Sequence, residues 1–141
     1  MKAIICDIDG TLAHQTARGP YDHKHADTDA PDPVISHIVN MFRWHEDDLQ
    51  IILCTGREEQ YRAVTVAWLY THFKWSEGVH YVMFMRHTND HRNDKVAKQE
   101  MYNDHIKGKY DVMFVLDDRD RVVEMWRENE LKCLQVGFGD F

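Results

Sequence analysis

The residues able to do chemistry gather in four short runs: Asp7-Ile8-Asp9-Gly10-Thr11, Thr55-Gly56-Arg57, Asp94 with Lys98 four positions on, and Asp117-Asp118-Arg119. Each closes or follows a short apolar run, and together they offer carboxylates, a hydroxyl and cations. Helix capping accounts for any one of them, since Asp and Thr commonly take that role. Capping does not call for two close acids at each of two separate strand ends. Crowded there, like charges repel and shift each other's proton affinity unless a cation joins them. Magnesium is the natural candidate, a hard ion that prefers carboxylate and carbonyl oxygens and keeps several waters.

Such a set has to be positioned by the elements between the runs. Apolar, β-branched segments at Ala3–Cys6, Ile51–Cys54, Tyr81–Met85, Val112–Leu116 and Cys133–Val136 read as strands buried on both faces. Helical spacing connects them. One stripe is Val34, Ile35, Ile38, Val39 and Phe42, and a second is Tyr61, Val64, Thr65, Trp68, Leu69 and His72 or Phe73. Val96, Ala97, Met101 and Ile106 form a third, and Val122, Val123, Trp126 and Leu131 a fourth. This alternation predicts one α/β domain over residues 1–141, a Rossmann-like parallel five-stranded sheet flanked by helices. Right-handed crossovers then bring the carboxyl ends of all strands, and with them the four runs, to one edge. Residues His14 to Pro33, with Gly19, Pro20, Pro31 and Pro33, fit neither pattern; a loop of that length predicts a small flap over the site.

Composition narrows the class. Hydrophobic residues at 43% and charged residues at 29% are ordinary for a soluble globular chain. No apolar run approaches a membrane span, and a single Lys before four apolar residues is no signal peptide, so the expected compartment is the cytoplasm. Cys6, Cys54 and Cys133 are odd in number and sit in apolar segments, as buried small hydrophobes do. Seventeen Lys and Arg against 24 Asp and Glu give a net charge of −7, which disfavours gripping long nucleic acid through many cationic contacts. Touching only a phosphorylated end needs few cations.

In order and spacing, Asp7-x-Asp9-Gly10-Thr11, Thr55-Gly56-Arg57, Lys98 and Asp117-Asp118 resemble the four signature elements of the haloacid-dehalogenase superfamily. A closer resemblance runs along nearly the whole chain. Arg18-Gly19-Pro20-Tyr21-Asp22, the Asp94-x3-Lys98 spacing, and the tail from Leu116-Asp117-Asp118-Arg119 through Val122-Val123-Glu124-Met125-Trp126-Arg127 to Gln135-Val136 and Gly139-Asp140-Phe141 look like the phosphatase half of phage-type polynucleotide kinase-phosphatases. That family removes 3′-phosphates from nucleic-acid ends. No G-x-x-x-x-G-K-[ST] phosphate loop occurs in these residues, so the expectation is a phosphatase module without its kinase half.

The resemblance implies a mechanism. Asp7 attacks phosphorus in line and forms an aspartyl-phosphate, which splits one hard displacement into two easier ones. Asp9 gives a proton to the departing oxygen and later takes one from water. Mg²⁺ is held by the Asp7 carboxylate, the main-chain carbonyl of Asp9 and an acid of the late pair, with Asp118 favoured for the direct bond and Asp117 close by. Thr55 and Gly56 face the phosphate, and Lys98 adds a point charge to it and to Asp7. Arg18 and Arg57 assist substrate binding or the transferring phosphate, and Asp94 positions the cationic groups. Tyr21 is the aromatic to watch for nucleobase contact. The expected substrates are 3′-phosphorylated DNA or RNA ends or nucleotides, with a separate kinase or ligase as a conceivable partner.

Other features weigh less. His87 and His91 share a helical spacing, but their segment has no apolar stripe and reads as a loop. His23 and His25 read as solvent-exposed. Trp68 and Trp126 belong to stripes and so to the core, although any of Trp44, Trp68, Trp75 and Trp126 has a face on which bases stack. A two-component receiver domain shares the acids, Thr and Lys but places its acidic pair early and needs no Asp9. A phosphatase of free nucleotides or other small monoesters suits the acidic charge equally well.

Overall fold

Side-chain alternation along the strands builds the domain. The computed structural model describes residues 1–141. In chain order the elements are β1 (Lys2–Cys6), β2 (Ala13–His14), β3 (Ala30–Pro31), α1 (Pro33–His45), β4 (Gln50–Glu58), α2 (Arg62–Phe73), β5 (Val82–Arg86), α3 (Asp94–Met101), β6 (Asp111–Asp117), α4 (Asp120–Glu128) and β7 (Cys133–Gln135). The main sheet has the order β5-β4-β1-β6-β7, and every neighbouring pair is parallel. Ile4 and Cys6 face one side of β1 and pack with Ile35 and Val39 of α1 and Trp68 and Leu69 of α2. Ala3 and Ile5 face the other side and pack with Ala97 and Met101 of α3 and Val122, Val123 and Trp126 of α4. The predicted parallel five-stranded α/β sheet with helices on both faces is therefore what the chain forms.

The chain winds outward from β1 to one sheet edge and then returns to fill the other side. The direction changes between β1 and β6, whose carboxyl ends carry Asp7 and Asp117. A crevice opens at such a switch point because the adjoining connections leave in opposite directions.

Local chemistry sets several boundaries. Asp32 caps α1 by accepting from the Val34 and Ile35 amides at 2.9 and 3.0 Å, with Pro33 in the first helical position. β4 runs past the expected end at Cys54 through Thr55-Gly56-Arg57 to Glu58, with a register break against β5 between Thr55 and Glu58. Such an irregularity re-aims a side chain, and here the Arg57 side chain ends fully buried. α3 departs from its predicted stripe: Val96 is exposed, while Ala97, Lys98 and Met101 face inward. The inward position is thus given to a cation, and the helix stops at Met101, followed by a wider turn over Tyr102–Ile106.

The predicted flap is a pinned strap. β2 and β3 pair antiparallel at its base, Ala13 with Pro31 and His14 with Ala30, and a 3-10 segment at His23–Thr28 packs on α2. Thr16 Oγ1 donates to the Thr28 carbonyl at 2.8 Å, and Trp68 Nε1 donates to the Asp29 carbonyl at 2.9 Å. Trp68, Trp75 and Trp126 are core residues, whereas Trp44 is exposed. The three cysteines are free and buried, and burial pushes the Cys54 and Cys133 thiols up to about 12. No helix is long and apolar enough to cross a membrane.

Trp68→Phe keeps most of the ring and removes the donor that ties Asp29 to α2. The orphaned carbonyl is expected to cost about 1–3 kcal/mol in urea unfolding, with faster limited proteolysis of residues 15–28 than of the rest; uniform susceptibility would show that this bond does not anchor the strap.

Candidate active site

The turn after β1 brings the first two acids to the sheet edge. The Asp7 amide donates to the Leu116 carbonyl at 2.9 Å, continuing the β1–β6 ladder one residue past the strand. The chain then reverses at Gly10, whose φ is +82°, and the Thr11, Leu12 and Ala13 amides all donate to the Ile8 carbonyl. A Cβ at Gly10 would lie 2.0 Å from Asp118 Oδ2. Only glycine permits both the left-handed turn and this approach of the Asp118 carboxylate.

Asp7, Asp117 and Asp118 offer carboxylate oxygens that all lie within 4.8 Å of one another. Lys98, delivered by the inward face of α3, donates to Asp7 Oδ1 at 2.8 Å and to Asp117 Oδ2 at 2.9 Å. Thr11 Oγ1 donates to Asp7 Oδ2 at 3.1 Å. Both oxygens of Asp117 are engaged by the protein: Oδ1 accepts from the Asp118 amide, and Oδ2 accepts from Trp126 Nε1 as well as Lys98. Asp118 pairs with no cation. Burial and the adjacent Asp117 push the Asp7 carboxyl well above the usual carboxylate range, with Lys98 pulling the other way. Burial and Asp117 raise Asp118 as well. Lys98 stays protonated, because Asp117 and Asp7 outweigh the burial that would lower it.

Asp9 sits in a different environment. Its carboxylate accepts from Arg57 Nε at 3.0 Å and Arg57 Nη2 at 2.9 Å, a two-point contact, and from Arg18 Nη2 at 2.9 Å. Behind the arginines lies Asp29, buried, which accepts from Arg18 Nε at 2.8 Å, Arg18 Nη2 at 2.9 Å and Arg57 Nη2 at 3.0 Å. Arg57 Nη1 donates to Thr65 Oγ1, and Arg18 Nη1 to the Gly19 and Pro20 carbonyls. Burial alone would raise Asp9, but the Arg57 charge and hydrogen bonds, helped by His23 and Arg18, hold it down at about 2. In this structure Asp9 is therefore held in its ionised form. Arg18 and Arg57, expected to assist substrate binding or the transferring phosphate, make their contacts here with Asp9 and Asp29, with the Thr65 hydroxyl and with the Gly19 and Pro20 carbonyls, and so hold Asp9 in place.

Of the remaining predicted residues, Gly56, Asp94 and Tyr21, but not Thr55, line one cavity of about 960 Å³ that opens over Asp7, Asp9, Lys98, Asp117 and Asp118. Gly56 and Asp94 border it, and Tyr21 stands at its rim, 79% exposed. Asp94 accepts from Arg119 Nη1 at 2.6 Å and Arg121 Nε at 2.9 Å; burial would raise it, but these arginines hold it below the usual range. Thr55 is buried, and its Oγ1 accepts from the Arg57 amide at 3.1 Å. His23 is not the solvent-exposed residue expected: its ring lines the cavity and its Nε2 lies 3.9 Å from Asp9 Oδ2. His25 is exposed and bonds Asp22. His87 and His91 lie in the loop before α3, as their polar surroundings predicted.

Two participants had no sequence signal of their own. Asp29 is one acid among several in an irregular loop, and Trp126 reads as core alone although its indole N–H also serves Asp117. Thr11 was legible as part of the first run, but its bond to Asp7 was not.

The geometry agrees with the relatives. Residues 1–141 match the polynucleotide kinase PNKP phosphatase domain. The chain belongs to that family. This PNKP-type domain is 34% identical over 129 residues to an inferred bifunctional polynucleotide kinase/RNA ligase of Autographa californica nuclear polyhedrosis virus, covering 90% of the chain and 18% of the viral protein. It superimposes on a chain of the Pnkp1/Rnl/Hen1 RNA repair complex with a TM-score of 0.91 at 40% identity, covering 99% of this chain and 43% of that one. A second chain, from a Pnkp1/Rnl/Hen1 complex, gives 0.90 at 41%, covering 99% and 47%. The PNKP-type domain thus spans under half the length of each of these relatives.

In the PNKP-type domain Asp29 acts on Asp9 through both arginines. Asp29→Asn leaves two buried guanidinium groups short of a negative charge, a loss of about 3–5 kcal/mol by comparison with other broken buried pairs. Thermal and urea unfolding should both report it; a change under about 1 kcal/mol would mean that the Asp9 clamp does not rely on Asp29.

Proposed function

We propose that this domain is a magnesium-dependent phosphomonoesterase that removes 3′-phosphate from polynucleotide ends through an aspartyl-phosphate on Asp7. The observation that carries the proposal is the juxtaposition of Asp7 and Lys98 with an unpaired Asp118 at the floor of an open cavity, in a member of the PNKP phosphatase-domain family.

The donor set fits a hard divalent cation. Three carboxylates share one ammonium, which leaves two formal negative charges, and burial disfavours leaving them uncompensated. Asp118 and Asp7 are the carboxylates that would hold the ion, with the Asp9 carbonyl as the neutral ligand. Asp117 is committed to Lys98, Trp126 and the Asp118 amide, so it supports the site from behind. When bound, Mg²⁺ supplies charge that keeps Asp7 ionised and offsets the phosphate oxygens.

Phosphoryl transfer depends on alignment and charge compensation more than on covalent chemistry. An Asp7 oxygen bonds to phosphorus as the bond from phosphorus to the sugar oxygen breaks, while Lys98 and Thr11 hold the carboxylate in place. The departing oxygen takes a proton. Asp9 gives it, having first taken that proton from solvent as the entering phosphate dianion offsets the guanidinium charges and raises its proton affinity. In the second half a water oxygen bonds to phosphorus, the bond to Asp7 breaks, and Asp9 takes the water's proton. An ionised Asp9, which the arginine clamp favours, is the form needed for that second half. The relatives' names join such domains to kinases and RNA ligases, and the 3′-hydroxyl product is an end suited to a ligase-type reaction. A separate kinase or ligase acting on the same ends fits this reading.

Phosphate release is to be compared on 3′-phosphorylated oligonucleotides, 5′-phosphorylated ones and mononucleotides, with Mg²⁺ and with chelator. The expected order favours the 3′-phosphorylated oligonucleotide, with turnover abolished by chelation. Equal rates on all three would leave a general phosphatase and remove the end specificity. Asp7→Asn is expected to lower turnover by about a thousandfold or more with the fold intact by circular dichroism; substantial residual turnover would contradict a covalent aspartyl intermediate.

A further inference from the structure

Five cationic side chains other than histidine line the cavity: Arg86, Arg92, Lys98, Arg119 and Arg121. Four are neutralised by carboxylates, Arg92 by Asp90 and Glu100, Lys98 by Asp7 and Asp117, and Arg119 and Arg121 by Asp94. Arg86, the last residue of β5, makes no ion pair. Its Nη1 donates to the main-chain carbonyls of Asp90 and Arg92 at 3.1 and 2.6 Å, which fixes the guanidinium plane. Its Nε is enclosed without a partner. Its Nη2 has no partner either and lies over Gly56, 3.3 Å from where a Cβ would stand, so any larger residue there would crowd it. A held cation with free donors on a cavity wall, in a chain of net charge −7, is what recognition of an anionic oxygen requires.

We propose that Arg86 is a substrate-binding residue that takes a phosphate oxygen through Nη2, with Gly56 providing the clearance. This rests on the phosphatase reading above. The oxygen belongs either to the terminal monoester or to the neighbouring internucleotide diester. The two are the same chemistry to a guanidinium and differ in the substrates that contain them. A purely structural role is the competing account, since Nη1 also staples the Asp90–Arg92 loop to β5.

Arg86→Gln separates these accounts because it retains an amide donor for the carbonyls and loses the charge, whereas Arg86→Lys retains the charge. With melting temperatures as the control for folding, KM and kcat are measured on a 3′-phosphorylated oligonucleotide and on a nucleoside 3′-phosphate. Binding of inorganic phosphate and of a 3′-hydroxyl oligonucleotide, both with Mg²⁺, reads the same contact without turnover, so a chain lacking phosphatase activity still reports on Arg86. The expected result for Arg86→Gln is a KM about tenfold or more higher on the oligonucleotide with kcat within about threefold, and partial recovery in Arg86→Lys. Loss that extends to nucleoside phosphate and inorganic phosphate assigns the monoester oxygen; loss confined to the two oligonucleotides assigns the diester. KM and both affinities unchanged in Arg86→Gln would overturn the proposal. So would a defect in Arg86→Ala that Arg86→Gln fully repairs, which would mark a loop staple.

Discussion

Acids cannot be packed at one buried sheet edge and remain charged unless positive charge is built in around them, and this domain meets that constraint in two ways. Around Asp9 compensation is complete: two arginines face two carboxylates, and burial fails to raise Asp9 because the guanidinium contacts outweigh it. Around Asp7 it is incomplete, with one lysine for three carboxylates. The first assembly is self-contained and needs nothing from solution. The second carries more acid than cation, a shortfall that the proposed Mg²⁺ would make up.

Most other features of the fold serve one assembly or the other. α3 turns Lys98 inward at a position where an amphipathic helix would ordinarily place an apolar residue, and Trp126 of α4 lends an indole donor to the same carboxylate. Gly10 lets Asp118 approach the turn that carries Asp9. The strap delivers Arg18 and Asp29 from one side while the irregular end of β4 delivers Arg57 from the other. The strap is therefore fastened to the site by buried ion pairs. Opening it as a lid would break the Arg18–Asp9 and Asp29–Arg57 ion pairs, a cost that favours the strap as a fixed wall of the site.

How much of this was legible in the sequence follows from which interactions are periodic. Strand and helix order could be read because burial on two faces leaves continuous β-branched runs and a helix leaves a stripe. From that order alone the four chemical runs had to meet at one edge. Partners across the fold leave no such trace. Arg18 and Arg57 are visible as charges, but nothing nearby in the chain says that Asp29 and Asp9 consume them. Asp29 itself sits in a loop where acids are common for turn chemistry. Val96 was misassigned to the inward stripe because apolarity was the criterion, and the helix instead turns Lys98 inward. His23 looked like any exposed loop histidine until the 3-10 turn carried it against Asp9.

The two assemblies also divide the labour of the proposed chemistry. Asp7 needs a place where its charge is stabilised by a removable ion, because its carboxylate must gain and lose a phosphoryl group and its surroundings must tolerate both. Asp9 needs surroundings that do not change when the phosphoryl group moves, so that its proton affinity responds only to the substrate's charge. A rigid pair of guanidiniums, themselves partly neutralised from behind by Asp29, meets that need: they set a low resting proton affinity, which the charge of a bound phosphate would oppose. A pair of mobile surface lysines in the same place would follow the phosphate and blunt the response. In the proposed chemistry the buried double clamp therefore sets the low proton affinity from which Asp9 starts, and substrate charge would act against it.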